Sequence, residues 1–197
     1  MTAGGSSIPE VQSLLSTLAV GKRCAEAGTA YGEGALAIAK TARSLVTVEI
    51  DESRAEIAKA RLRGRRNVEL IVGDWHDALP PRAPFELLFL DGGAFKRAPS
   101  EEGSLAIELL GVGGMLVIDH LTPGLAGHDP ARESLLGHPE LVARELRTTL
   151  RTAAIVAARR DRPWLSRRDP LRATPRAHAW TSRDRRAPSP RGSAASS

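Results

Sequence analysis

Glu26-Ala27-Gly28-Thr29-Ala30-Tyr31-Gly32-Glu33-Gly34, followed by Val46-Thr47-Val48-Glu49-Ile50-Asp51, is the stretch that decides the fold of this chain. A short strand, Arg23 to Ala27, runs into a tight glycine turn, and the turn opens a small-residue helix, Glu33 to Lys40. A second strand, Leu45 to Ile50, carries an acid at its end. In a parallel α/β sheet this order puts a close-approach backbone loop and a carboxylate at one carboxyl edge, where such sheets bind nucleotides. The glycines let the backbone reach a ligand that any Cβ would block. The carboxylate of Glu49 can accept both hydroxyls of a ribose.

Outward from that stretch the alternation continues. Ile8 to Val20 reads as an amphipathic helix with Val11, Leu14, Leu15 and Leu18 at helical spacing. Ser53 to Arg65 reads as a helix with Ile57, Ala58 and Leu62 inward, and Val68 to Val72 as strand three. Phe85 to Leu90 is an apolar run suited to a strand buried on both faces. Ser100 opens a helix to Leu110, with Glu101 and Glu102 favourable in its first turn. Gly113-Gly114 is expected to turn the chain into strand five, Met115 to Ile118. Asp129-Pro130 starts a further helix to about Leu136, and Leu141 to Leu146 with Ala153 to Ala158 form a closing hairpin. This β-α-β-α order predicts an α/β three-layer sandwich.

Composition sets limits. The 197 residues suit one domain, and the single cysteine, Cys24, excludes an internal disulfide and a cysteine-rich zinc site. There is no signal-peptide pattern and no apolar run of bilayer length, so a cytoplasmic protein without membrane association is expected. The net charge of +5 hides a division. Residues 159–197 hold eleven arginines, three aspartates and five prolines, whereas residues 1–158 are mildly acidic. The expectation is a domain over 1–158 and a basic Arg/Pro/Ser-rich tail, disordered, over 159–197.

The loop departs from the dinucleotide fingerprint: G-x-G-x-x-G from Gly28 would need glycines at Ala30 and Glu33. Glu33 at a helix N-terminus and Glu26 before the first glycine would repel a pyrophosphate. A cationic nucleoside, S-adenosylmethionine, fits such a loop better. On these residues the chain resembles the class I S-adenosylmethionine-dependent methyltransferases, and within them the catechol and caffeoyl-CoA O-methyltransferase group. Glu26, Gly28 and Gly32 fit that group's E-x-G-x-x-x-G-x-S loop. Its serine, which helps hold the methionine carboxylate, is Gly34 in this chain.

The resemblance implies a Rossmann-like, mostly parallel sheet of about seven strands with an antiparallel C-terminal hairpin. It implies that Glu26, Gly28, Thr29, Ala30, Tyr31, Gly32 and Gly34 place the methionine end. Glu49, with Ile50 beside it, would hold the ribose, and Gly73, Asp74 and Trp75 the adenine. The alternatives are a turn aspartate and a tryptophan covering the sheet edge. Asp91 and Asp119 end strands four and five, and in the resembled group two such aspartates hold a divalent metal, with an asparagine where this chain has His120. Two carboxylates suit Mg²⁺, while a histidine suits Mn²⁺, iron or zinc better. The alternative is that Asp91 only shapes the cofactor pocket and that His120 is a loop residue or a general base. Lys96 follows strand four near the group's catalytic lysine position but is displaced from it by Gly92-Gly93, and a solvated loop lysine is the better reading.

Function then reads as methyl transfer to an oxygen of a small-molecule hydroxyl acceptor, with divalent-metal assistance. With three Trp, one Tyr and three Phe, few side chains are available to stack on a flat phenol. Two alternatives stay open: a nucleic-acid acceptor guided by the tail's arginines with Trp164 and Trp180, and a non-catalytic S-adenosylmethionine-binding regulator. A homodimer is an expectation that nothing in the sequence decides.

Overall fold

The computed structural model describes residues 7–91, 99–123 and 130–161. The chain divides into two units, residues 1–166 and 167–197; all described residues belong to the first, and of the tail expected over 159–197 only residues 159–161 are described, Arg159 as the last residue of a strand. In chain order the elements are α1 (Pro9–Leu18), β1 (Arg23–Ala27), α2 (Glu33–Ala39), β2 (Ser44–Glu49), α3 (Glu52–Arg61), β3 (Val68–Val72) and α4 (Trp75–Ala78). After a 3₁₀ turn at Pro80–Arg82 come β4 (Phe85–Leu90), α5 (Pro99–Glu108), β5 (Leu110–Leu121), α6 (Pro130–Leu136), β6 (Leu141–Arg147) and β7 (Ala153–Arg159). No helix among the described residues is long and apolar enough to cross a membrane.

Among the described residues, seven strands form one sheet in the order β3-β2-β1-β4-β5-β7-β6. Strands β1 to β5 pair in parallel, and β7 pairs antiparallel with both β5 and β6. The order reverses between β1 and β4, which opens a crevice at their carboxyl ends. The expected Rossmann-like layering and antiparallel close are what the sheet shows.

Strand β4 makes the three layers from its own sequence. Leu88 and Leu90 face a cluster that includes Ile107 and Leu135, while Leu87 and Phe89 face one that includes Val11, Leu15 and Ile38. Successive side chains point to opposite faces, so a continuous apolar run is what two covered faces require. Cys24 sits in the second cluster, fully buried, and burial pushes its thiol up to about 12, leaving an inert small apolar residue.

Three expectations are corrected. First, α3 ends at Arg61, four residues early, and its buried residues are Ala55 and Ala58, with Leu62 at its C-cap, while Ile57 is 49 % exposed. Neighbouring residues lie about 100° apart round a helix, so Ile57 falls off the Ala58 stripe. Second, β5 is a twelve-residue strand rather than a short one entered by a turn at Gly113-Gly114. Leu110 pairs with Phe85 and Met115 with Leu87, so the glycines form a bulge inside the strand. A Cβ on Gly114 would stand 2.8 Å from the Gly111 carbonyl oxygen and 2.9 Å from that of Phe85. Third, Trp75–Ala78 is helical, because the Asp74 side chain accepts the His76 N–H and caps a turn too short to show periodicity.

Candidate functional site

The loop from β1 to α2 is held by backbone and by one acid. The Gly28 and Thr29 N–H groups donate to the Val48 carbonyl at 2.9 and 3.1 Å. Ala30 takes φ +48°, uncommon for a residue with a Cβ, and Gly32 at the head of α2 takes φ +88°. A Cβ on Gly32 would come within 3.2 Å of Ala58, so the turn packs directly on α3. The Ala30 N–H donates to Glu49 Oε2 at 2.7 Å, and the Asp51 N–H donates to Glu49 Oε1 at 3.0 Å. Glu49, 4 % exposed, therefore fixes the glycine loop, and each of its oxygens keeps a lone pair for a further donor. Ile50, next to it, is 73 % exposed.

Glu26 lies beneath that loop, 1 % exposed. The Thr47 hydroxyl donates to Glu26 Oε2 and is itself 2.5 Å from the Thr29 hydroxyl. Burial raises the Glu26 pKa well above the ordinary carboxylate value; the Thr47 hydrogen bond opposes this, and the charges of Asp91, Asp119 and Glu49 add to it. Four carboxylates thus converge on one end of the sheet. Asp91, Asp119 and Glu49, with Glu26 held uncharged by burial until a cation arrives, make an edge that suits a cationic ligand better than a pyrophosphate.

Gly34, where the resembled group has serine, leaves room that its neighbours use. A Cβ there would stand 2.4 Å from Glu26 Oε1, 3.1 Å from the Phe89 ring and 3.2 Å from the Ser7 hydroxyl oxygen. Ser7 is 3 % exposed, and its hydroxyl is buried with no hydrogen-bond partner among the described residues. Gln12 donates to the Ser7 carbonyl at 2.7 Å and ties this segment to α1. Neither Ser7 nor Thr47 carries a motif; the only hint in the sequence is the missing side chain at Gly34.

At the end of β3, Gly73 has φ +154° and Asp74 Oδ1 accepts both the His76 N–H and His76 Nδ1, at 2.9 and 2.6 Å. The His76 backbone N–H first, then its ring, hold the Asp74 carboxyl below its ordinary value. Trp75 packs on the core and tilts against His76, ring centres 4.2 Å apart. His76 Nε2 also lies 3.2 Å from Glu102 Oε2 on α5. Burial works against the charged imidazole, but Asp74 and Glu102 outweigh it and raise its pKa. His76, expected as a plain turn residue, links the β3 loop to α5.

Asp91, Asp119 and His120 are brought together: each offers one ligand atom, and these atoms lie within 4.8 Å of one another. His120 Nδ1 is 2.7 Å from Asp119 Oδ1 and 3.3 Å from Asp91 Oδ1. Adjacent strand residues ordinarily face opposite ways. Here the β5–β7 register slips between Ile118 and Leu121, and His120 takes φ +59°, so a bulge turns both side chains to the same place. Hydrogen bonds donated to Asp119, then to Asp91, raise the His120 pKa to about 10 against a lesser cost of burial. At neutral pH the imidazolium offsets one of the two carboxylate charges. Two carboxylates and an imidazole suit Mn²⁺, iron or zinc, and binding one would displace that proton.

Lys96, the Gly92-Gly93 turn and residues 124–128 lie outside the described residues. A separate cavity of about 630 Å³ opens between α3 and β3, lined by Lys59, Arg63, Arg65 and Leu70 among others, away from these carboxylates.

Residues 25–121 match the methyltransferase-domain family. Among solved structures, cofactor-bound Rv0187 from MTB is similar at 26 % identity over 81 % of this chain and 84 % of that one, with a TM-score of 0.70. An O-methyltransferase from Bacillus cereus in complex with SAH has 21 % identity over 80 % and 84 %, TM-score 0.66. A putative O-methyltransferase from Klebsiella pneumoniae has 20 % identity over 81 % and 84 %, TM-score 0.66.

Proposed function

The chain belongs to the class I S-adenosylmethionine-dependent methyltransferases, and from that premise we propose that it transfers a methyl group to an oxygen of a small-molecule acceptor, using a divalent cation. The observation that carries the oxygen acceptor and the cation is the convergence of Asp91, Asp119 and His120 at the crevice between β1, β4 and β5.

The residues present fit both groups. The carboxylate-lined edge suits a sulfonium and an ammonium, and the orphaned Ser7 hydroxyl offers a donor. Bound S-adenosylmethionine supplies an electrophilic methyl, and a bound cation lowers the pKa of an acceptor hydroxyl. The chain's own part is to position and to hold charge. Glu26 and the Gly28–Gly34 loop, with Thr29, Ala30 and Tyr31, receive the methionine end. Glu49 and Ile50 receive the ribose, and Gly73, Asp74 and Trp75 the adenine. Asp91, Asp119 and His120 would hold the cation, and Asp91 would also border the cofactor pocket. His120 must surrender its proton to do so, so cation affinity rises with pH. Lys96 is placed near the acceptor by sequence alone.

The test is titration with S-adenosylhomocysteine, then with Mn²⁺, followed by methyl transfer to a panel of vicinal dihydroxyphenols and simpler hydroxyl acceptors. Binding of both ligands, with transfer abolished by EDTA and by Asp119→Asn, is the expected result. Transfer indifferent to EDTA and to Asp119→Asn overturns the metal assignment. Transfer to nucleic acid alone overturns the small-molecule acceptor, and no S-adenosylhomocysteine binding by folded protein overturns the whole reading.

A further inference from the structure

We propose that the open edge of β3, with the groove between α3 and β3 beside it, takes an extended acidic peptide of a partner protein, which adds to the sheet as a further strand. The inference is independent of the methyl-transfer reading, since the groove lies away from the carboxylates of that site.

β3 is an end strand of the sheet, and among the described residues it pairs with β2 alone. The Leu45 N–H donates to the Asn67 carbonyl at 2.8 Å, and the Gly73 N–H to the Glu49 carbonyl at 2.9 Å. Alternate residues of a parallel strand turn their N–H and C=O to the same side, so Val68, Leu70 and Val72 turn theirs outward. The strand is also thinly covered. Leu45 to Glu49 of β2 are buried, whereas no residue of β3 is, and Val72 is 49 % exposed.

The groove measures about 630 Å³ and is lined by the apolar Leu62, Val68 and Leu70 and by the exposed cations Lys59, Arg63 and Arg65. Lys59 is matched by Glu56 at 3.2 Å, but neither Arg63 nor Arg65 has an ion-pair partner among the described residues. The Asn67 side chain donates to the Ala39 and Ala42 carbonyls at 3.0 Å each, which ties the loop carrying both arginines to the end of α2. Outward backbone groups, an aliphatic lining and unmatched guanidiniums thus stand together. An added strand uses all three: main-chain bonds hold it, and alternate side chains enter the groove. Glutamates at those alternate positions would meet the guanidinium forks. Charge argues against a second copy of this chain, because edge-to-edge pairing would set two cationic rims together. A nucleic-acid backbone has the right sign but leaves the outward amides and the aliphatic lining unused.

The test is fluorescence anisotropy with a labelled peptide of alternating glutamate and valine, about seven residues long, so that it overhangs the five residues of β3. Three peptides of the same length serve beside it: one of lysine and valine, and two glutamate–valine peptides N-methylated at the glutamate or at the valine amides. Wild-type protein should bind the acidic peptide and not the basic one. One of the two N-methylated peptides should bind about ten-fold more weakly, because one set of amides faces β3. The double variant Arg63→Glu, Arg65→Glu should also weaken binding about ten-fold or more, with a cooperative melt showing that it is folded. Bound acidic peptide should slow hydrogen exchange at the Val68, Leu70 and Val72 amides. No binding of the acidic peptide, indifference to both N-methylations, or wild-type affinity in the double variant overturns the proposal. Binding of oligouridylate that needs Arg63 and Arg65, where the peptide fails, gives the groove to nucleic acid instead. Self-association of the protein alone that protects the same three amides gives the edge to a second copy.

Discussion

Glu49 is placed to do two jobs, and replacing it separates them. Its Oε2 accepts the Ala30 N–H at 2.7 Å and its Oε1 the Asp51 N–H at 3.0 Å. Ala30 is 6 % exposed and sits at φ +48°, so its N–H has no water to turn to and its backbone leans on this bond. Glutamine keeps the shape of the side chain but offers one carbonyl oxygen, so one N–H must face an NH₂. A hydrogen bond to a charged group contributes about 1.5–3 kcal/mol, which is the loss expected for Glu49→Gln. Alanine removes both bonds and the packing, for about 3–6 kcal/mol by the same reckoning. For a domain of this size, 1 kcal/mol moves the melting temperature by about 2–4 °C, so the glutamine variant should melt about 3–12 °C lower. The assay is thermal unfolding of ligand-free protein, paired with S-adenosylhomocysteine titration of the same samples. A Glu49→Gln protein that melts within about one degree of wild type would refute the view that this carboxylate anchors the glycine loop.

Two further outcomes test other parts of the structure. The Glu26 pKa is raised in the folded state, so its contribution to stability is full below the unfolded carboxyl value and is lost as pH rises through the folded one. Glu26→Gln cannot ionise, so the stability of the ligand-free variant relative to wild type should climb from pH 5 towards pH 9, and an advantage that stays flat with pH in melting curves with EDTA would contradict the buried-acid reading. Gly114→Ala places a Cβ 2.8–2.9 Å from two backbone carbonyls that cannot rotate away, and overpacking of this kind costs about 1–3 kcal/mol. A Gly114→Ala protein with an unchanged urea midpoint would argue against the bulge in β5.

What could be read from the sequence was whatever local chemistry repeats or punctuates. All seven strand positions, the loop from Gly28 to Gly32 and the acids at Glu49, Asp74, Asp91 and Asp119 announce themselves by apolar runs, glycine turns and strand-end carboxylates. The length of β5 did not, because its amino-terminal half holds three glycines and looks like a turn. Glycines earn no hydrophobic signal, yet here they let two backbones come close enough to pair across a bulge. The α4 turn was too short for a period to show, and it needed the Asp74 cap to form.

The sequence by itself determined the layering and the edge at which ligands meet the sheet, since a strand–glycine turn–helix order and a doubly apolar β4 admit few other arrangements. It also determined the sign of the charge at that edge. Only the tertiary structure decided which neighbours share a site. His120 faces Asp91 beside Asp119 because the β5–β7 register slips, and alternation along an unbroken strand would have turned one of them away. Ser7 reaches Gly34 across 27 residues of chain for the same kind of reason: α1 packs on α2, and contacts between elements are set by how faces fit together, which no local pattern records.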